Sequence, residues 1–367
     1  MNVHASLARA ATERSQTSIE VLRGRDAFEA LKPEWDRLFR RAAKPHQLFQ
    51  SHPILSAWAK SYPEAGEVVV VVARELGALV AALPLVMRAT LGVKRLHFMG
   101  MPVVQFGDML VDPHSEADTT ARVWAAIPDL NADVLEARRI RADAALWPFR
   151  DNATVVETMA APFACLLTRV EGDLPGPAYS GRDKSNLRRR MRRLEERGRV
   201  VLTTQGSGPA AAELAARAVD MKRRSLHAAG VISPAVKSGG FEAFFRRVAA
   251  DPECGLIVSS VELDGQPVAI DLSFLCKDTA FGHVLATEPA FHKEGAGSIL
   301  VHHVFASTKT AGATTFDLLA PADPYKMHHA DGETAVESRV YPFTMRGRLF
   351  ANAFHKLALP AARAILR

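Results

Sequence analysis

The chain has 367 residues, of which 48% are apolar and 23% charged, and a net charge of +6. This composition excludes a wholly disordered chain, and the length favours two domains. The cysteines, Cys165, Cys254 and Cys276, are far apart and form no cluster with histidines, which argues against a disulfide scaffold and a zinc motif. The N-terminus has no apolar signal segment, and no run reaches the ~18 apolar residues of a membrane span. We therefore expect a cytoplasmic protein without a transmembrane segment.

The N-terminal half begins with a flexible arm predicted over residues 1–18, followed by helices and a hairpin. Apolar residues recur at helical spacing from Asp26 to Ala42, where Asp26 can cap the helix, and a second helix fits Pro53–Tyr62. Apolar runs on both sides of Glu75-Leu76-Gly77 predict a β-hairpin. The other predicted elements are a helix over 116–127 and strands near 95–99, 108–111, 134–137 and 154–157.

The positive charge is concentrated in one predicted helix, which follows a Gly- and Pro-rich linker over residues 171–181. Residues 182–199 hold nine of the 46 basic residues and three of the 40 acidic ones, so the rest of the chain is neutral. Leu187, Met191 and Leu194 form its narrow apolar stripe. The surrounding arginines are typical of a solvated face or of a site for an anionic donor or polysaccharide. They also fit nucleic-acid phosphates, although no aromatic residue is present for base stacking.

The C-terminal half has the clearest pattern. A strand, two helices and three antiparallel strands are predicted over 200–204, 209–228, 240–250, 256–263, 268–275 and 281–286. They lead to a Gly-containing loop, a helix to Thr310, a strand over 315–319 and a last amphipathic helix over 346–366. The hairpin at 256–274 is similar in sequence to that at 68–85, and a duplication would give both halves the same fold.

The loop His292-Lys-Glu-Gly-Ala-Gly-Ser298 joins a predicted strand to a predicted helix. Glycines at such a junction allow a tight turn and leave the first helical amides free to bind an anion, which the helix dipole also favours. The spacing is neither that of a Walker A loop nor GxGxxG. By itself, the loop also fits a plain strand-to-helix turn.

The order of three antiparallel strands, Gly loop, helix and strand resembles the GNAT acyltransferase fold. Residues 292–297 read H-K-E-G-A-G and are similar to its acyl-CoA signature, Q/R-x-x-G-x-G/A, with His292 in place of Gln or Arg. FDLL…YK at 316–326, SNLRRRMRRLEERGRV at 185–200 and LFQSHPILSAW at 48–58 are similar to segments of the cellulose-biosynthesis acetyltransferase-like (CelD/BcsL-like) family. That family resembles the FemABX aminoacyltransferases, which have two GNAT-like domains.

The resemblance implies an α/β fold of two tandem GNAT-like domains, with a mixed, largely antiparallel sheet and flanking helices. We expect an N-terminal domain over 19–180 without the Gly loop, and a C-terminal domain over 181–367 with the basic helix and the acyl-CoA loop. The implied donor is acetyl-CoA or another acyl-CoA, and no metal is implied. Its implied binding residues are Leu285, Ala286, Lys293, Gly295, Ala296, Gly297 and Ser298, with backbone N–H groups holding the pyrophosphate and the pantetheine.

Direct acyl transfer needs a base for the acceptor's proton, but no cysteine or serine nucleophile. The candidate catalytic residues are Tyr325, Lys326, Asp317 and His283. Asp271 interrupts an apolar strand, where an unpartnered carboxylate is costly to bury, and is predicted to bind the acceptor. Asp108, in a strand-like segment, is the second predicted acceptor-binding residue. The alternative is a structural hydrogen bond for Asp317, a satisfied strand histidine for His283 and a turn residue for Asp108.

Together these features predict acetyl transfer from CoA to an amine or hydroxyl of a sugar, polysaccharide or cell-envelope precursor, in exopolysaccharide biosynthesis. One alternative is FemABX-like transfer of an aminoacyl group from tRNA. Another is a non-catalytic accessory protein of exopolysaccharide assembly. CoA binding would support the first reading, and salt-sensitive tRNA binding the second.

Overall fold

The computed structural model describes residues 17–353. Of the arm predicted over 1–18, only Thr17 and Ser18 are described, and Ser18 begins the first strand. The helix predicted over 346–366 begins at Met345, and its part beyond residue 353 lies outside the described residues.

Both halves of the chain contain strands and helices. The strands are β1 (Ser18–Arg23), β2 (Glu67–Glu75), β3 (Ala78–Thr90), β4 (Val93–Phe98), β5 (Leu110–Val111), β6 (Val134–Arg141), β7 (Thr154–Cys165), β8 (Val170–Glu171), β9 (Leu174–Pro175), β10 (Val200–Gln205), β11 (Leu256–Leu263), β12 (Gln266–Cys276), β13 (Thr279–Thr287), β14 (Thr315–Asp317) and β15 (Gly332–Pro342). The α-helices are α1 (Arg25–Ala30), α2 (Lys32–Ala42), α3 (His52–Ser61), α4 (Thr119–Ala125), α5 (Leu166–Arg169), α6 (Gly181–Glu195), α7 (Pro209–Ala228), α8 (Pro234–Lys237), α9 (Gly239–Ala250), α10 (Ala296–Thr310), α11 (Pro324–His329) and α12 (Met345–Phe350).

Most strands join one continuous sheet in the order β1-β2-β3-β4-β6-β15-β7-β14-β13-β12-β11-β10, with β5 paired to β3. Each half repeats one pattern, in which four antiparallel strands are followed by a parallel pair, β4–β6 in one half and β13–β14 in the other. The similar hairpins of the sequence, β2–β3 and β11–β12, occupy equivalent places. The predicted α/β fold of two tandem GNAT-like units is confirmed.

The two halves exchange their last strands at the centre of the sheet. β15, from the C-terminal half, pairs with β6, and β7, from the N-terminal half, pairs with β14. β7 and β15 also pair with each other. The predicted division of the chain at residues 180 and 181 stays a prediction, and this central pair joins both sides of it.

Helices cover the sheet and connect the halves. α3 of the N-terminal half packs against α9 of the C-terminal half, and both belong to one apolar cluster with α7. The basic helix α6 packs on α10 through Leu187, Met191 and Leu194, which confirms the predicted apolar stripe. No helix within residues 17–353 is long and apolar enough to span a membrane.

Two sequence predictions need correction. The helix predicted from Asp26 to Ala42 is two helices, α1 and α2, because the chain breaks at Leu31 before Pro33, which lies in the first turn of α2. The N-cap of α1 is Gly24, and Asp26 makes no capping bond. β15 was not predicted at all, because its charged residues hide the strand pattern.

Candidate functional site

The sheet opens between β13 and β14. The two strands pair in parallel only over Thr279–Phe281 and then separate. Opposite this opening the register of β12 and β13 shifts, so that Ser273 pairs with Gly282 while Leu272 pairs with Val284, and His283 is the extra residue. Such a bulge bends the strand and redirects a side chain. The backbone of β13 beyond Phe281 is therefore unpaired by β14.

A cavity of about 330 Å³ lies at this opening and receives residues from both halves of the chain. Its polar lining residues are Gln105, Arg139, Lys222, Asp271, His283, Asp323, Tyr325 and Lys326. Leu285, a predicted donor-binding residue, also lines it, and its carbonyl accepts a hydrogen bond from Lys222 Nζ at 3.1 Å. Ala286, the next predicted residue, is buried in the core and is not part of the lining.

Asp271 is the buried carboxylate of this cavity, with 5% of its surface exposed. Ser273 Oγ donates to Asp271 Oδ1, and no cation forms an ion pair with this carboxylate within residues 17–353. Burial raises the pKa of Asp271 to about 7. At neutral pH a large fraction of the Asp271 carboxyl groups is ionised, and the ionised carboxylate can accept a proton. Both properties suit a general base.

His283 is held by the N-terminal half. Its Nε2 lies 2.6 Å from the Val103 carbonyl and 3.2 Å from Gln105 Nε2. Its buried Nδ1 has no hydrogen-bonding partner among the described residues. Burial lowers the pKa of His283 to about 4, so the ring is neutral and a weaker base than Asp271 at neutral pH.

Tyr325 and Lys326 lie in the first turn of α11 and line the cavity at the opening between β13 and β14. Tyr325 is 46% exposed, and burial of its hydroxyl end, with Asp271 nearby, raises its pKa. The phenol is therefore protonated at neutral pH and can donate a proton. Lys326 is buried, and its Nζ donates to the carbonyls of Leu319 and Pro321, each at 2.9 Å. Burial lowers the pKa of Lys326 to about 8, and its bonds fix the loop after β14.

One predicted catalytic residue, Asp317, and one predicted acceptor-binding residue, Asp108, lie outside the cavity lining. Asp317 is buried at the end of β14, where it accepts hydrogen bonds from Arg141 and from the Leu319 amide. Asp108 is 1% exposed and accepts bonds from Gln47 Nε2 at 2.7 Å and from the amides of Ala145 and Leu146. The carboxylate oxygens of Asp317 and Asp108 are thus hydrogen-bonded within the protein, which favours a structural role for both residues.

The Gly loop ends at the start of α10. Gly295 is the N-cap in the left-handed conformation, with φ +79°, and α10 begins at Ala296. The first amides of a helix have no intrahelical partner, so those of Ala296 and Gly297 are available to an anion. No neighbour crowds Gly297 except Thr287 Oγ1, 3.0 Å from where a Cβ would lie. Lys293 is exposed.

The basic helix supplies a side chain to this loop. Arg190 Nη1 donates to Ser298 Oγ. A Cβ on Gly295 would lie 2.6 Å from Arg190 Cδ, so glycine is required there for the arginine to pass. Arg190 thus adds a positive charge at the helix N-terminus. It lies three residues after Leu187, beside the apolar stripe, and this position is the sequence signal that could have distinguished it from the outward arginines.

A second cavity, of about 320 Å³, continues from the Gly loop. Arg190, Ser298 and His302 line it, and Tyr325 lines both this cavity and the first one. Tyr325 therefore lies between the Gly loop and Asp271. The described residues contain no group of three His, Cys, Asp or Glu side chains that could hold a metal ion.

Comparisons with known proteins give a family for part of the chain. Residues 181–327 match the family described as acetyltransferase (GNAT) domain, a range that includes the Gly loop, Asp271 and Lys326. No curated protein matches the sequence. The fold is that of a tandem GNAT protein, and its C-terminal part matches the GNAT acetyltransferase domain.

Three of the solved structures that it resembles are similar over nearly their whole length. FemX has a TM-score of 0.61 at 10% identity, covering 88% of this chain and 98% of that one. A tandem GNAT protein from the clavulanic acid biosynthesis pathway has a TM-score of 0.53 at 11% identity, covering 89% and 99%. The C-terminal domain of a putative lysylphosphatidylglycerol synthetase from Agrobacterium fabrum has a TM-score of 0.50 at 12% identity, covering 92% and 96%. At such identities these likenesses describe the fold alone.

Proposed function

We propose that this chain is an acyltransferase that moves an acyl group, in the first instance acetyl, from CoA to an amine or hydroxyl by direct transfer. One observation carries the proposal: Tyr325 joins a cavity at an anion-binding helix terminus to a cavity that contains Asp271, whose pKa is about 7. A thioester donor with an anionic end needs this arrangement, in which the anion binds at one end and proton transfer takes place at the other.

The residues present fit the donor. The amides of Ala296 and Gly297, together with Arg190, would hold the pyrophosphate. The edge of β13 that β14 leaves unpaired beyond Phe281 would bind the pantetheine, and its N–H groups would stabilise negative charge that develops on the thioester carbonyl oxygen.

Two side chains account for the protons. The acceptor's nitrogen or oxygen attacks the carbonyl carbon, and the carbon–sulfur bond breaks. Asp271 takes the proton that the acceptor loses, because its carboxylate is the stronger base of the two candidates in the cavity. Tyr325 gives its proton to the departing thiolate, because the phenol is protonated at neutral pH and its hydroxyl has no partner within residues 17–353.

Calorimetric titration with acetyl-CoA and CoA tests this proposal. Wild type should bind both saturably, and Gly297→Glu should lose binding, because its carboxylate repels the pyrophosphate. Gly206→Glu is the matched control, since Gly206 is exposed with nothing within 4 Å of a Cβ position. A folded wild type that binds neither ligand would refute the CoA-dependent reading.

An aminoacyl-tRNA donor is the second candidate, favoured by the surface of α6. The arginines there that point outward are Arg182, Arg188, Arg189, Arg192 and Arg193. They flank Arg190 and could bind RNA phosphates beside the donor site. Binding of tRNA that weakens steeply with salt, in the absence of CoA binding, would select this candidate.

The proposed acceptor and the proposed CelD/BcsL-like family are both argued from the sequence resemblance. Similarity to the CelD/BcsL-like family supports a sugar, polysaccharide or cell-envelope precursor as acceptor, in exopolysaccharide biosynthesis. The third reading, a non-catalytic accessory protein, requires that neither donor binds. Release of CoA thiol in the presence of amino sugars and acetyl-CoA would distinguish a transferase from such a protein.

A further inference from the structure

Arg139 reaches the catalytic cavity from the N-terminal half of the chain. It lies within β6 with φ +58°, a conformation that non-glycine residues rarely adopt. The register of the paired strand β15 shifts at the same place, between Glu337 and Arg339. Backbone strain of this kind occurs at ligand sites, where it directs a side chain that the regular strand would point elsewhere.

The guanidinium of Arg139 lies near the Glu157 carboxylate, whose charge partly offsets the lowering of its pKa by burial. Arg139 Nη1 donates to Gln105 Oε1, and no Asp or Glu of residues 17–353 forms an ion pair with it. Its neighbours differ, since Arg138 pairs with Glu136 at 3.3 Å and Arg141 pairs with Asp143 and Asp317. Burial lowers the pKa of Arg139, as expected for a desolvated cation.

The charges that face the cavity do not balance. Arg139, Lys222 and Lys326 line it as cations, against the carboxylates of Asp271 and Asp323. Lys222 and Lys326 are already bonded to backbone carbonyls. Within residues 17–353 the Arg139 guanidinium donates to one acceptor, and unlike the ammonium of Lys222 its planar fork has N–H groups left to donate two parallel hydrogen bonds to a ligand.

We propose that Arg139 binds an anionic group of the acceptor, a carboxylate or a phosphate, and so selects anionic acceptors. The inference rests on the proposed transferase function and names the substrate class of the same cavity. Gln105 contacts both Arg139 and His283, so it would hold the guanidinium in place on the acceptor side. A planar guanidinium suits either anion because it can donate two parallel hydrogen bonds.

The test is calorimetric titration of the whole protein, saturated with CoA, with glucuronate, glucose 6-phosphate and glucose. We expect at least one charged sugar to bind 10-fold or more tightly than glucose, and the tighter one identifies the anion. Arg139→Gly should lose that 10-fold preference, and glycine accepts φ +58° without strain, so thermal unfolding should show an intact fold. Arg139→Gln and Arg138→Gln are the matched pair, and only the former should lose the preference.

The outcomes are distinguishable from those of the proposed function. Equal binding of charged and neutral sugars, no charged sugar binding above glucose, or a preference that survives in both Arg139 variants would overturn the inference. None of these outcomes would contradict the proposed donor site, provided that CoA itself binds. Failure of CoA to bind in the same instrument would count against the transferase proposal instead.

Discussion

Arg190 and Ser298 are 108 residues apart in sequence, and the guanidinium of the first donates to the hydroxyl of the second. This contact joins the basic helix to the start of α10. The excess charge of the chain is therefore not only a solvated surface, because one of its arginines lies at the glycine loop where a pyrophosphate would bind.

Replacing Arg190 by Gln should weaken CoA binding by roughly 10- to 100-fold, the range expected for a charge-assisted hydrogen bond. Arg189→Gln is the matched control, since Arg189 points outward on the same helix and, within residues 17–353, its side chain bonds only to Asn186. Calorimetry with CoA measures both. Equal losses in the two variants would mean a diffuse effect of charge, not a contact with the donor.

Asp271 makes a prediction about pH. As a base it acts only when ionised, so kcat/KM should rise with pH through a midpoint near 7. Asp271→Asn should lose activity by about 100-fold or more and lose this rise. Asp323→Asn, at the rim of the cavity, should keep the profile. A wild-type midpoint near 4 would point to a carboxyl with an ordinary pKa or to His283.

The same carboxyl should affect stability with a definite sign. Its folded pKa is raised from 3.8 to about 7, so the folded state loses stability as the pH rises through that window. The difference corresponds to about 4 kcal/mol at most. Asp271→Asn should therefore unfold at a higher temperature than wild type at pH 8 and show a smaller gain at pH 4. A gain that does not change with pH would contradict the raised pKa.

Tyr325→Phe tests proton donation to the thiolate. Because the phenol stays protonated at neutral pH, its loss should lower kcat by about 100-fold and leave the affinity for acetyl-CoA nearly unchanged. Stopped-flow release of thiol measures kcat, and calorimetry measures affinity. A loss of affinity with unchanged kcat would make Tyr325 a binding residue.

Much of the fold could be predicted because local pattern and tertiary structure agree. The hairpins and the strand–loop–helix around Gly295 have clear turn signals, and they lie where predicted. β15 could not be predicted because it is a central strand that contains Arg339, which is fully buried and bonds to carbonyls of residues 146–149. Only the exchange of strands between the halves creates that environment.

The prediction of the site from the sequence was limited in the same way, by contacts between the two halves. Tyr325 and Lys326 were found through the FDLL…YK resemblance, and Asp271 and His283 as polar residues on predicted strands; the structure brings all four to one cavity. Arg139 was not found, because it comes from the other half and its role depends on a register shift in β15. No spacing in the sequence reports such a contact.

The Asp317 pair with Arg141 gives the last prediction, on stability. Asp317→Asn removes one partner of a buried ion pair and leaves part of the Arg141 charge uncompensated, so it should destabilise the fold by roughly 3–5 kcal/mol. Urea unfolding measures this loss, with the exposed Asp220→Asn as the control of small effect. Because Asp317 lies outside the cavity lining, the folded variant should retain CoA binding and most of its turnover. A variant of normal stability that has lost turnover would return Asp317 to the catalytic residues and would require the cavity to open toward β14.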